Sequence, residues 1–239
     1  DPNVVSAVPT EMISGNFNEF SFGEGDFWCN KKAPSDNAVD KCTVIRASSE
    51  KSDGSVSQSF SGSFYIGSAE EHIKGLKESC EAAGHDLAVM NITMDYADLF
   101  DSKIGIYVKG DIFNKALEDY KSSGESIENE TARQLDANYK QRGKEWERDC
   151  HIELNEISAE GNVTTALSQD CGIRIQGGWS RADYQKSFRL YARNDYGKNS
   201  FDTVFWDSFT DVNGEAITSC KTFVPVSYTH LRAHETGRN

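Results

Sequence analysis

The chain has 239 residues and a formal net charge of −13, with 38 acidic residues against 25 basic ones. Such an acidic surface argues against nucleic acid and anionic membrane as main partners. The sequence contains no stretch of eighteen apolar residues, the length that would predict a membrane span. The length suffices for one large domain or two modest ones, each with a hydrophobic core.

Residues 1–67 have the pattern of an all-β segment. Aromatic residues stand among Gly and Asn, and residues 42–48 and 57–67 alternate between apolar and polar side chains. Asp53-Gly54 between these two runs is a turn signal. We therefore predict a β-sandwich-like segment, and the small number of strands suggests that it is partial.

A helix is predicted to link this segment to the rest of the chain, over residues 68–85. Ser68 and Glu71 have the spacing of a capping box, and Gly84 stands where a helix C′ residue belongs. Beyond the helix, residues 87–93 are apolar enough for a central strand, and residues 104–110 predict the next strand. Three aspartates lie between these strands without the spacing of a calcium loop, which favours a solvated turn.

Residues 111–137 are predicted to be helical at first and then a polar loop or insertion, because their apolar residues recur at helical spacing only near the start. Residues 145–157 predict a strand in which Cys150, Ile152 and Leu154 share one face. His151 is then most simply a residue of the polar face.

The six cysteines contain no CxxC pair, so the spacing of a zinc site or a redox motif is absent. Cys150 and Cys171 flank a predicted hairpin and could be bridged across its strands. Cys29 and Cys42 could close a loop. Disulfides suit a secreted protein, and buried free thiols are the alternative.

The most informative residue is a lysine that violates an alternating pattern. One strand ends at Gly177-Gly178, and a second alternating run follows over residues 187–193. Lys186 has the parity of the apolar Leu190, so a continued strand puts its ammonium on the apolar side. A buried lysine is costly unless an anionic group meets it.

Three segments of the chain resemble the spore-coat protein CotH family, a family of secreted and surface proteins with an atypical protein-kinase fold. The resemblance runs in order from about residue 87 to residue 224. The segments are NYKQRGKEWERDCHIEL (138–154), GIRIQGGWSRADYQKSFRLYAR (172–193) and NDYGKNSFDTVFWDSF (194–209).

The resemblance implies an α+β fold, with an atypical kinase-like mixed sheet and helices over residues 86–225. It also implies ATP and Mg²⁺ as cofactors, phosphoryl transfer to Ser or Thr of a protein substrate, and a bacterial secreted or cell-surface location. For this chain we expect a partial domain, to which no catalytic residue and no metal ligand is assigned.

Four residues are predicted to contact the nucleotide. Gly177 and Gly178 would let backbone N–H groups approach an anion. Arg181 lies in the connection between the strands, and Lys186 is similar to the strand lysine that meets phosphates in protein kinases. The simpler alternative is a twisted hairpin whose lysine extends to solvent.

The last residues, 226–239, are predicted to be a non-native tail. VSYTHLRAHET (226–236) matches the translation of a sequencing-library adapter. The genuine sequence would then stop inside the domain, before the family's metal-binding and catalytic acidic residues, and we expect the fragment to be inactive. A non-catalytic extracellular binding or adhesion module is the alternative function, which the β-rich first part and the acidic surface suit equally.

Overall fold

The computed structural model describes residues 21–22, 25–26, 42–57, 60–84, 87–124, 133–158, 160–182, 186–203 and 210–226. These residues form a mixed α+β fold, which confirms the predicted fold class at that level. The helices are α1 (Ser68–Ala82), α2 (Tyr96–Phe100) and α3 (Gly110–Ser122). The strands are β1 (Ser21–Phe22), β2 (Gly25–Asp26), β3 (Thr43–Ala47), β4 (Phe60–Phe64), β5 (Ala88–Thr93), β6 (Arg148–Ile157), β7 (Val163–Gln176), β8 (Ser187–Tyr191), β9 (Phe201–Asp202), β10 (Ser219–Cys220) and β11 (Thr222–Phe223).

A five-stranded antiparallel sheet organises the fold, in the order β11-β8-β7-β6-β5. The long β6–β7 hairpin is its centre, and β8 continues it on the other side of β7. Within the described residues β5 lies at the edge of the sheet, so the expectation of a central strand over residues 87–93 is wrong. All six residues of β5 are only half-buried, as an edge position dictates.

One face of this sheet carries the hydrophobic core. Ile152, Cys171 and Ile173 are fully buried there together with Leu190 of β8. The apolar stripe of α3 contributes Phe113 and Leu117 to the same cluster. The alternation predicted for β6 is thus the alternation between this core and the opposite face of the sheet.

Residues 104–110 do not form the predicted strand. The backbone N–H groups of Ile106 and Tyr107 donate instead to the carbonyls of Asp98 and Leu99 in α2. Gly105 permits this fold-back, because a Cβ atom there would lie 2.5 Å from the carbonyl oxygen of Asp101. Ile106 and Val108 are buried without strand pairing, whereas Ile104 is 46% exposed.

The predicted linker helix forms as α1, but its capping box does not. Gly67 is the N-cap residue, no side-chain cap hydrogen bond is made, and Ser68 is already the first helical residue. Before α1, the strands β3 and β4 form a two-stranded hairpin. Tyr65 connects this hairpin to the main sheet, since its hydroxyl accepts a 3.2 Å hydrogen bond from Asn155 Nδ2 in β6.

Several predictions fall on undescribed parts of the chain. Cys29 of the possible Cys29–Cys42 loop lies outside the described residues, as do residues 125–132 of the polar insertion and residues 227–239 of the predicted tail. Among the described residues, no helix has the length and apolar character needed to cross a membrane.

Candidate functional site

The double-glycine bend ends β7 and leads into a short 3₁₀ turn, Trp179–Ala182. Gly177 has a φ of 123°, and a Cβ atom at this position would lie 2.3 Å from Ser180 Oγ. A residue with a side chain would therefore be strained here. Gly178 is exposed, with no atom close to where its Cβ would stand.

Arg181 fixes the bend to the segment that precedes β6. Its guanidinium is buried, with the residue only 6% exposed. Nε donates to the Gly177 carbonyl at 2.7 Å, and Nη1 donates to the carbonyls of Tyr139 and Gln141 at 3.3 and 3.0 Å. Burial lowers the pKa of Arg181, and the neighbouring cation Arg142 lowers it further. Arginine is protonated throughout the ordinary pH range of proteins, so Arg181 keeps its charge at neutral pH.

A cavity of about 410 Å³ opens beside the bend. Its described lining combines three cationic side chains with the exposed Gly178 and contains no carboxylate. The lining residues are Gln134, Lys140, Arg142, Gly178, Trp179 and Arg181. In a chain with a net charge of −13, this is a local concentration of positive charge.

The cations of this cavity wall differ in how firmly they are held. Lys140 Nζ donates to the backbone carbonyls of Arg133 and Leu135, so its ammonium is fixed in place. Arg142 is exposed, and its contact with the Gly177 carbonyl is long, at 3.5 Å. Arg142 is therefore the cation of the wall that has most freedom to meet an incoming anion.

Lys186 is buried on the apolar side of β8, as its parity predicts, with 3% of the residue exposed. Its Nζ lies 4.3 Å from the ring centroid of Tyr139 and 5.1 Å from that of Tyr107. Its backbone N–H donates to the Tyr107 hydroxyl at 3.2 Å. The aromatic faces stabilise the ammonium electrostatically, so the alternative of a lysine extending to solvent does not fit.

The four sequence-predicted residues are thus only partly brought together. Gly178 and Arg181 line the cavity, Gly177 is held by Arg181, and Lys186 is not part of the lining. Tyr139 connects the two parts, because its carbonyl accepts from Arg181 while its ring faces the Lys186 ammonium.

The opposite face of the sheet holds a charged network that sequence reasoning missed. Glu147 has a side chain only 1% exposed. Its carboxylate accepts two hydrogen bonds from Arg193, at 2.8 and 3.2 Å, and one from the Tyr196 hydroxyl at 3.1 Å. Arg174 Nε lies 3.2 Å from the same carboxylate. The signal in the sequence was strand parity, which puts Arg174 of β7 on the same face of the sheet as Arg189 of β8 and Arg193 after it.

A larger cavity, of about 770 Å³, lies on this second face. Most of its charged lining is acidic, and the basic groups are Arg46, Arg148 and His151. The acidic residues of the lining are Asp95, Asp98, Glu147, Asp149, Asp170 and Asp195.

His151 lies in a hydrogen-bonded chain beside this cavity. Its Nδ1 is 2.7 Å from Asp170 Oδ1, and its Nε2 is 3.1 Å from Ser168 Oγ. The sequence indicated only a residue of the polar face, whereas the ring is 8% exposed and held on both sides. Asp170 and Ser168 stand two residues apart on β7, and this spacing puts both side chains on the same face as His151.

Across the described ranges, no group of three or more His, Cys, Asp and Glu side chains is placed to hold a metal ion. The comparisons with known proteins identify no relative. No protein-family model matches the chain, and no curated protein or solved structure matches it.

Proposed function

We propose that this chain is part of a CotH-like atypical protein kinase and that the double-glycine bend binds the phosphates of a nucleotide. The cationic cavity beside Gly178 is the observation that supports this proposal most directly. Phosphoryl transfer requires positively charged groups beside the phosphates, which carry negative charge. Cations around a glycine-rich bend are the protein groups that supply it.

The residues that line the cavity have distinct roles in the proposal. Arg142 and Lys140 neutralise phosphate oxygens at the cavity wall, and Arg181 holds the bend in shape while adding its charge. Gly178 lets the backbone approach the ligand. Trp179, with 59% of the residue exposed, offers an aromatic surface at the cavity rim.

The residues present fit the phosphates of ATP better than they fit its metal. The cavity wall has cationic donors and no described carboxylate, which suits an anion. Mg²⁺ prefers oxygen ligands, chiefly carboxylates and the substrate phosphates, and we assign it no ligand in this chain. When bound, the nucleotide would supply the phosphoryl group for transfer to Ser or Thr of a protein substrate.

The proposal is tested by isothermal titration calorimetry, in which ATP is titrated into the protein without and with Mg²⁺. We expect binding that weakens about tenfold in Arg142→Ala, because one charge-assisted phosphate contact contributes about 1.4 kcal/mol or more. Lys144→Ala is the matched control, since Lys144 is exposed and pairs with Asp195 away from the cavity. Absence of ATP binding at millimolar concentration, or equal affinities for wild type and Arg142→Ala, would contradict it.

A non-catalytic extracellular binding module is the second candidate, and one observation favours it. The β3–β4 hairpin exposes apolar side chains, with Phe60 66%, Phe64 47% and Ile45 53% exposed. Exposed apolar groups of this kind often mark contact surfaces. A polar Phe60→Ser, Phe64→Ser variant that loses partner binding, in a protein without ATP affinity, would favour this second function.

A further inference from the structure

Cys150 and Cys171 face each other across the centre of the main sheet. They are directly opposite residues of the antiparallel pair β6–β7. Their Sγ atoms lie 3.5 Å apart, and the residues are 5% and 0% exposed. Two thiols are thus held side by side within the hydrophobic core.

The strand pairing fixes the backbone on both sides of this pair. Asp149 pairs with Gly172 and His151 pairs with Asp170, and the nearest irregularity in the register comes between Leu154 and Asn155. Directly opposite residues of antiparallel strands have Cα atoms about 4.5–5.5 Å apart. That separation lies within the range of about 4.4–6.8 Å that a disulfide bridges, so small side-chain rotations suffice to join the sulfur atoms.

We propose that Cys150 and Cys171 form a cross-strand disulfide that locks the register of the β6–β7 hairpin. The oxidant is a small-molecule disulfide such as oxidised glutathione. One cysteine thiolate attacks it, forms a mixed disulfide and releases the first glutathione thiol. The second cysteine then attacks the mixed disulfide and releases the other glutathione thiol. The two cysteines together lose two protons and two electrons, and the oxidant is reduced to two thiols.

The burial of the pair determines when the bond forms. Hydrogen bonding with Cys171 and burial raise the pKa of the Cys150 thiol, and the thiolate is the attacking species. Exchange in the folded sheet is therefore slow. The bond closes while the hairpin is still accessible during folding, and the packed core afterwards shields it from reductants.

The other described cysteines contrast with this pair. All five described cysteines are free thiols in this structure, but Cys42, Cys80 and Cys220 are only partly buried, whereas Cys150 and Cys171 are buried. The three partly buried thiols serve as internal references for reactivity, because alkylating reagents reach partly exposed thiols more readily than thiols in a core. The proposed disulfide is independent of the phosphate site at the double-glycine bend.

The test uses a favourable feature of the sequence, which has no Lys or Arg between residues 149 and 173. Trypsin therefore releases both cysteines in one peptide, residues 149–174, which contains no other cysteine. The full chain is refolded with reduced and oxidised glutathione, alkylated in denaturant and digested with trypsin. The masses of the peptides are then measured by mass spectrometry. We expect the unalkylated peptide to be about 2 Da lighter than its dithiol form, because two hydrogens are lost.

A second protease confirms the pairing. Cleavage after Glu153, Glu156 and Glu160 separates the two cysteines, so the proposal requires that the two fragments stay linked until a reductant is added. A fully alkylated peptide 149–174 in refolded protein would overturn the proposal. So would fragments of this peptide linked to Cys29, Cys42, Cys80 or Cys220.

Stability measurements give an independent readout. Refolded wild type should lose several degrees in Tm when it is reduced in denaturant and refolded without oxidant. The Cys150→Ala, Cys171→Ala double variant should show no such dependence on oxidant, and Cys220→Ala should behave as wild type. An equal oxidant dependence in the double variant would contradict the assignment, and the peptide masses of wild type decide the question even if that variant does not fold.

Discussion

A Cβ atom on Gly172 would lie 2.6 Å from Oε1 of Glu147. The glycine in the middle of β7 thus leaves the space that the buried carboxylate occupies. We expect Gly172→Ala to lower the free energy of unfolding by about 2 kcal/mol, because the new methyl group forces Glu147 away from its arginines. Urea denaturation measures this loss.

The matched control for this prediction is a glycine substitution that should change the free energy of unfolding in the opposite direction. Gly75 lies inside α1, and a Cβ atom there meets nothing within 4 Å. Gly75→Ala should therefore raise the free energy of unfolding by about 0.5–1 kcal/mol through its better helix propensity. Equal effects of the two substitutions would show that contact with Glu147 does not explain the need for Gly172.

The charge of Glu147 should be as important as its position. Glu147→Gln leaves Arg174 and Arg193 beside a neutral amide, and breaking a buried ion pair costs about 3–5 kcal/mol. We expect the free energy of unfolding to fall by about 3 kcal/mol, the lower end of this range, because Arg193 is about one-third exposed. Glu118→Gln on the exposed side of α3 is the control and should change stability by less than about 0.5 kcal/mol.

Arg181 should be required for the shape of the bend as well as for its charge. Arg181→Met removes the donors to three backbone carbonyls and leaves buried acceptors without partners. We expect the free energy of unfolding, measured by urea denaturation, to fall by about 2–4 kcal/mol. Arg142→Ala, at an exposed position, should change stability by less than about 0.5 kcal/mol. A stable Arg181→Met protein would mean that other donors replace the guanidinium.

Two substitutions of Lys186 separate its packing from its charge. Lys186→Met keeps most of the side-chain volume between Tyr107 and Tyr139 and should change stability by less than about 1.5 kcal/mol. Lys186→Ala leaves a cavity and should cost about 2 kcal/mol or more. If Lys186 contributes charge to the nucleotide site, both variants lose ATP affinity in calorimetry. Unchanged affinity in Lys186→Met would leave the lysine with a packing role alone.

The half-buried carboxyl of Asp98 predicts how the stability of the protein changes with pH. Burial raises the pKa of Asp98, although Arg148, whose Nε lies 3.5 Å from Oδ1, partly opposes this. The folded state therefore binds the proton more tightly than the unfolded state. This contribution to the free energy of unfolding is greatest at low pH and is lost as pH rises through the window above the ordinary value of 3.8.

Urea denaturation of wild type and Asp98→Asn from about pH 6 to about pH 4 tests this sign. The stability of the variant relative to wild type should fall as the pH is lowered, because only wild type gains from protonation at this site. Asp119→Asn, on the exposed face of α3, controls for general charge effects. A relative stability that rises on acidification would contradict the prediction.

Part of this fold follows from local patterns in the sequence. The β6–β7 hairpin, α1, the apolar face of α3 and the burial of Lys186 all follow from periods of two or 3.6 residues. Those periods report which side chains face the core. They do not report which backbone groups pair, and for that reason residues 104–110 carry an alternating pattern without forming a strand.

The site was harder to predict than the fold, because its contacts join distant segments. Nothing local to the bend indicates that the carbonyls of Tyr139 and Gln141 hold Arg181. Likewise, the unbroken strand pattern around Gly172 gives no sign that Glu147 needs its space. Sequence reasoning located the bend and its lysine, and only the packing of residues 138–147 against them shows which cations surround the cavity.

The cationic wall around Gly178 also has a kinetic consequence, because it stands in a molecule with a net charge of −13. At low salt the net negative charge of the protein repels an approaching anion at long range, whereas at 0.1 M salt this repulsion is screened beyond about 10 Å. Inside the cavity, the same anion is attracted by Lys140, Arg142 and Arg181 at close range. Added salt should therefore speed the arrival of a nucleotide while shortening its residence time.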